Sequence, residues 1–139
     1  MGDCDFRSHR GNLAKRVSSV AVPHPTTSPR RGEIYWVDFD PARGSEQAGH
    51  RPAVVISLDS FNARMNTVVI AALTTKIRPG SPVQVYLPAG RPLPEEGAIL
   101  GFQVMTADQS RLGRYAGALA KSQLAELDQV ISRCFGLRA

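Results

Sequence analysis

From Arg30 to Leu119 the apolar residues of this chain arrive in short β-branched or alternating runs, each stopped within a few residues by Gly, Pro, Asn or Asp. That spacing leaves no room for long amphipathic helices and predicts a sheet of short strands. Ile34 to Phe39 carries apolar groups at odd and even positions alike, so the first strand must lie between two packed layers. Ala53-Val54-Val55-Ile56 and Thr67 to Leu73 are β-branched second and third strands, with Asp59 or Ser60 as the N-cap of one helical turn between them. Arg78 to Pro82 is a turn, and Val83 to Leu87 alternates as a fourth strand with one solvated face. Pro88 to Gly97 holds three prolines and two glycines, which predicts an ordered loop without helix. Ala98 to Thr106 and Gly113 to Leu119 complete six strands.

One helix follows. Ser122 is its expected N-cap, and Leu124, Leu127, Ile131 and Cys134 recur at helical spacing with Val130 and Phe135 beside them. Gly136 is placed to end it in a left-handed turn. The expected fold is therefore mainly β: a small, strongly bent antiparallel sheet or barrel with a C-terminal helix packed on it.

A chain of 139 residues fits one domain. Residues 1–29 show neither period and close on a Pro/Thr/Ser cluster, so they are expected to form a disordered extension before a folded domain at residues 30–139. The net charge of +5 favours an anionic partner; four basic residues against Asp3 and Asp5 leave +2 in the extension and +3 in the domain. Cys4 and Cys134 make neither a disulfide framework nor a zinc pattern. No apolar run reaches the roughly 18 residues that span a bilayer, and Val17 to Val22 is too short for a signal-peptide core. The expectation is a soluble, cytosolic protein with no membrane attachment.

The segment Gly44-Ser45-Glu46-Gln47-Ala48-Gly49-His50-Arg51-Pro52 stands out as a polar, glycine-punctuated loop between two strands. Such loops on rigid sheets carry binding and catalysis. Inventory narrows the chemistry. The carboxylates of the domain are scattered singly or as the pair Glu95-Glu96, His50 is its one histidine, and no nucleophile-elbow signature occurs. Metal-cage, triad and paired-histidine mechanisms therefore lose their residues. An anion site without metal or cofactor remains, built on the planar fork of Arg51 and on Thr74, Thr75 and Lys76 at the end of the third strand, should strands two and three pair. Glu46 adds a proton acceptor. Such a set can stabilise the pentacoordinate phosphorane formed when a ribose 2′-hydroxyl attacks its own phosphodiester.

Arg31 to Asp38, the loop Gly44 to Pro52 running into Ala53 to Ile56, Val69 to Thr74, and Gln103 to Asp108 followed by Ser110-Arg111-Leu112 together resemble the MazF/PemK/Kid family of toxin endoribonucleases. The resemblance implies an SH3-like antiparallel barrel, a homodimer, metal-independent cleavage of single-stranded RNA at a short sequence, and neutralisation by a MazE-like acidic antitoxin. It also implies that Arg51 and Thr74 are the catalytic pair and that Glu46 has an acid/base or orienting role. Ser45, Gln47, His50, Thr75, Lys76 and Gln103 are the expected RNA contacts. Certain relatives place an acidic residue immediately before the glutamine of the fifth strand and a basic one after it; here Phe102 and Met105 stand there, leaving Glu46 or His50 to carry the proton. A second class with this barrel poisons gyrase without catalysis through an aromatic C-terminal ending, which Phe135-Gly136-Leu137-Arg138-Ala139 does not resemble.

Overall fold

A computed structural model describes residues 28–39 and 50–137. Residues 1–27 of the expected disordered extension, and Ser45, Glu46 and Gln47 of the glycine-punctuated loop, lie outside the described residues, while Pro29 at the extension's end is buried. The elements are β1 (Glu33–Asp38), β2 (His50–Val55), the short helix α1 (Asp59–Asn62), β3 (Thr67–Thr74), β4 (Gln84–Leu87), β5 (Gly97–Asp108), a 3-10 turn (Gln109–Arg111), β6 (Leu112–Ala118) and α2 (Lys121–Phe135). The strands form one antiparallel sheet in the order β4-β5-β3-β2-β1-β6.

The connection from β5 to β6 forces that sheet to close. Three strands separate the pair in the sheet, so a flat arrangement would hold them about 19 Å apart at roughly 4.8 Å per strand. The 3-10 turn supplies only the four Cα steps from Asp108 to Leu112, about 14 Å when fully extended. The sheet therefore curls into the expected small SH3-like barrel.

The curl has a second source in β5. Between Ala71 and Leu73 of β3, the paired residue on β5 jumps from Val104 to Ile99, five positions against two. The extra residues bend β5, so its first half pairs with β4 as well as with the end of β3. Gly101 sits in the bend, where its N–H donates to Val83 O at 2.8 Å and a Cβ would stand 2.4 Å from Val130 Cγ1. Only glycine lets α2 approach the strand this closely.

Two apolar clusters fill the two sides of the sheet. Tyr35, Val37, Phe39, Val55, Ile70 and Leu112 belong to one, and Ile34, Val54, Leu73, Leu87 and Ile99 to the other, which Leu127 and Val130 of α2 cover. This is the two-sided burial that the first strand demands, since alternate residues of β1 enter different clusters. Buried polar groups pin the barrel at its closure. Gln109 Nε2 donates to Asn62 O at 2.8 Å and Met65 O at 3.0 Å, while Asn62 Nδ2 donates to Pro29 O and Ser57 O. Arg31 pairs with Asp128 of α2 and donates to Ile56 O, tying the helix to the sheet.

Three local expectations need correction. Ser122 is not the N-cap of α2: Ala120 is, and its N–H is satisfied by Gln123 Oε1 at 2.8 Å, which places Ser122 within the first turn. Neither Asp59 nor Ser60 caps α1, which begins after Leu58 without a side-chain cap. Phe135 is exposed, because it falls where α2 leaves the sheet and its ring meets Phe102 instead of the core. Gly136 does end α2 in the left-handed conformation, at φ 67°. Cys134 is half-buried against the α2-side cluster. No helix among the described residues is long and apolar enough to cross a membrane.

Candidate active site

The site begins with a break in a ladder. β2 and β3 pair through Ala53–Ala72, Val54–Ala71 and Val55–Ile70, and Ile56 N–H donates to Val69 O at 2.9 Å. Alternate residues of a strand send their N–H groups to the same side, so residue 52 would donate next, to Leu73. Pro52 has no N–H to give. The hydrogen-bonded register between β2 and β3 ends at Ala53–Ala72, while Pro52 keeps its place opposite Trp36 on the β1 side.

Carried two residues further, the same register sets Arg51 opposite Thr74. Arg51 and Thr74 share one face of the sheet and Pro52 and Leu73 the other, and all four border a cavity of about 300 Å³. Thr75 and the indole of Trp36 border it too. The segment Leu93 to Gly97 borders it as well, which brings Glu95 and Glu96 to the same cavity as the arginine. Gly97 makes the approach possible, since a Cβ there would stand 2.9 Å from Thr74 O.

Local bonds hold these residues in place. Thr74 Oγ1 accepts from Lys76 N–H at 3.0 Å, fixing the turn after β3. Glu96 Oε1 accepts from Tyr86 O–H at 2.8 Å, and that bond to a carboxylate pushes the Tyr86 phenol above its ordinary pKa. Trp36 and His50 are diagonal neighbours across β1 and β2, where Asp38 pairs with His50 and Trp36 with Pro52. Their rings stack with centroids 5.5 Å apart and planes 10° from parallel.

The structure thus brings Arg51, Thr74 and Thr75 together at one cavity, with His50 beside it on the same strand as Arg51. It does not bring Lys76 or Gln103 to that cavity. Lys76 is exposed beyond Thr75, with its carbonyl accepting from Gln84 Nε2, and Gln103 is exposed on the bend of β5. Trp36, Glu95 and Glu96 are site residues that sequence reading missed. The prolines of residues 88–97 forecast an ordered loop, but which cavity it would wall depends on how β4 pairs with β5. Among the described residues, no group of three or more His, Cys, Asp or Glu side chains is arranged to hold a metal ion.

Fold and site define a small antiparallel barrel whose cavity is bordered by an arginine, two threonines and two glutamates where the β2–β3 ladder ends. Residues 30–135 match the profile of the PemK-like, MazF-like toxin of type II toxin-antitoxin systems, and the chain belongs to that family. It is 36% identical over 110 residues to the endoribonuclease MazF of Staphylococcus epidermidis, a match that covers 78% of this chain and 92% of the relative. MazF from Deinococcus radiodurans superposes with a TM-score of 0.69 at 28% identity, covering 79% of this chain and 98% of that one. A mycobacterial endoribonuclease solved in complex with its cognate antitoxin gives 0.70 at 24% identity, covering 81% and 99%, a likeness of fold.

Proposed function

We propose that this protein is the toxin of a toxin–antitoxin pair and that it cleaves single-stranded RNA, without a metal, by attack of a ribose 2′-hydroxyl on the adjacent phosphodiester. The observation that supports this reading is the cavity that Arg51 and Thr74 both border, just beyond the last hydrogen-bonded pair of β2 and β3. Family membership and the 36% identical endoribonuclease support it.

In this reaction the 2′-oxygen bonds to phosphorus as its proton leaves, and the bond from phosphorus to the 5′-oxygen breaks as that oxygen gains a proton. The products end in a 2′,3′-cyclic phosphate and a 5′-hydroxyl. Arg51 holds the two non-bridging oxygens, whose charge grows in the phosphorane, and gains most from being aimed beforehand in a site with little water. The Thr74 hydroxyl orients the phosphate, and Glu46 in the adjoining loop carries the proton. Ser45, Gln47, His50, Thr75, Lys76 and Gln103 contact flanking nucleotides along the strand's path. Glu95 and Glu96, which border the same cavity, discourage a second phosphate there.

The reaction takes place in the cytosol, where the RNA is. A second copy of the chain completes the molecule through the exposed aromatic pair Phe102 and Phe135, and the antitoxin blocks the cavity with an acidic, extended segment that competes with RNA for Arg51. Purified protein incubated with long single-stranded RNA in EDTA is expected to give fragments ending in 2′,3′-cyclic phosphate. Arg51→Ala is expected to slow cleavage by at least about a hundredfold, the scale of losing one aimed oxyanion donor. Intact RNA in EDTA, or undiminished cleavage by the variant, would overturn the proposal.

A further inference from the structure

We infer that Trp36 and His50 form a stacking platform that takes one unpaired nucleobase beside the phosphate held at Arg51. The inference rests on the proposed action on RNA and adds the part of the substrate that this corner of the site reads. A tryptophan placed on β1 merely to fill space would join one of the two buried clusters, as Ile34, Tyr35 and Val37 on the same strand do. Trp36 belongs to neither: it is half-buried and borders the cavity. Its partner His50 is exposed. The two rings lie within 10° of parallel, whereas Tyr35 of the same strand meets Tyr115 at 67° in the edge-on manner of a packed interior. A parallel pair offers flat π surface in the orientation that a base adopts on an aromatic side chain.

Placement ties the platform to the reaction. His50 and Arg51 are successive residues of β2, so their side chains leave opposite faces of the sheet, His50 with Trp36 on the Pro52 face, and it is the cavity at the end of the sheet that joins the two. Trp36 borders the same cavity as Arg51 and Thr74. A phosphate at Arg51 and a base on the rings therefore belong to the same or neighbouring nucleotides. The platform is held from beneath by β6, where Gly113 lets the backbone close on Trp36: a Cβ at Gly113 would stand 3.0 Å from Trp36 O and 3.8 Å from His50 Cε1. Because every base has a π face, the platform supplies affinity and register with little preference of sequence.

Trp36 is the one tryptophan of the chain, so its emission reports on the platform alone. The probes are dye-labelled 12-mers of adenylate and of uridylate, 2′-O-methylated throughout so that they cannot be cut. Saturable quenching of Trp36 emission is expected, with the same midpoint as the rise in dye anisotropy. His50→Ala, a change at an exposed position, should weaken binding roughly tenfold, within the range of one lost base–aromatic stack, while His50→Phe restores it to within about twofold. Recovery by phenylalanine separates stacking from hydrogen bonding or charge. Bound RNA with unaltered emission, affinity unchanged in His50→Ala, no recovery in His50→Phe, or no binding at low salt would each overturn the platform. The cleavage assay in EDTA is read separately: quenching without cleavage refutes the nuclease and leaves the platform standing, and cleavage without quenching does the reverse.

Discussion

Glu33 is a carboxylate buried at the start of β1, and two donors make that position tolerable: Arg30 N–H at 2.7 Å and Tyr35 O–H at 2.9 Å. The tyrosine bears the consequence. Burial first, and the neighbouring Glu33 second, push its pKa far above the ordinary value near 10, and Tyr115 is raised by the same two causes in the same order. The folded state therefore keeps protons that the unfolded chain releases above about pH 10. Stability from Tyr35 is fully present below that pH and falls as pH rises, by about 1.4 kcal/mol per pH unit while it stays protonated only in the fold. Tyr35→Phe is expected to cost about 1–3 kcal/mol at neutral pH, because Glu33 loses a donor while it stays buried. It should also make the alkaline loss shallower. Urea unfolding of both proteins near pH 7 and near pH 11 checks this, and equal alkaline losses in the two would refute it.

At the level of elements, the site exists because a ladder stops. Pro52→Ala restores an N–H on the β3 side, where Leu73 O is the partner that the register assigns. The new hydrogen bond contributes about 0.5–1.5 kcal/mol, and losing the proline's restraint on the unfolded chain costs about 0.4–1 kcal/mol, so the melting temperature should move by no more than a few degrees. The amide introduced at position 52 should be protected from hydrogen exchange, and RNA cleavage should fall about tenfold or more as the strands close over the gap. An exchanging amide or unaltered cleavage would show that the proline does not hold the cavity open. The strands themselves were legible, because β-branched runs between Gly and Pro have few other uses. Arg51 and Thr74 were legible as a pair only on condition that β2 meets β3, which it does. The role of Pro52 was not legible, since it depends on which neighbour its missing donor would have faced. The cap of α2 was misread for a similar reason: Ser122 has the right chemistry, but Gln123 reaches Ala120 N–H first. Glu95 and Glu96 are exposed, as a charged pair in a loop suggests, but no local pattern records that their loop reaches the mouth of β2 and β3.

For the molecule as a whole, the closure that makes the barrel also leaves something uncovered. The bend in β5 that admits α2 turns Phe102 outward, and the end of α2 does the same to Phe135; the rings are 62% and 46% exposed, with centroids 6.1 Å apart. Met105 on the same strand and Leu137 just past the helix are exposed as well. Two large exposed rings brought together from two elements mark an interaction site more often than a solvated face. A second copy is the occupant we propose, because a two-fold contact lets the same patch serve both partners. Phe102→Asp would then set two like charges close to the axis, each removed from water without a counter-ion. The substitution is at an exposed position, so the fold should persist, with unchanged circular dichroism. Sedimentation equilibrium at micromolar concentration is expected to give twice the 15.0 kDa chain mass for the natural protein and a single chain for the variant. Equal masses for the two proteins would place the dimer contact elsewhere or remove it altogether.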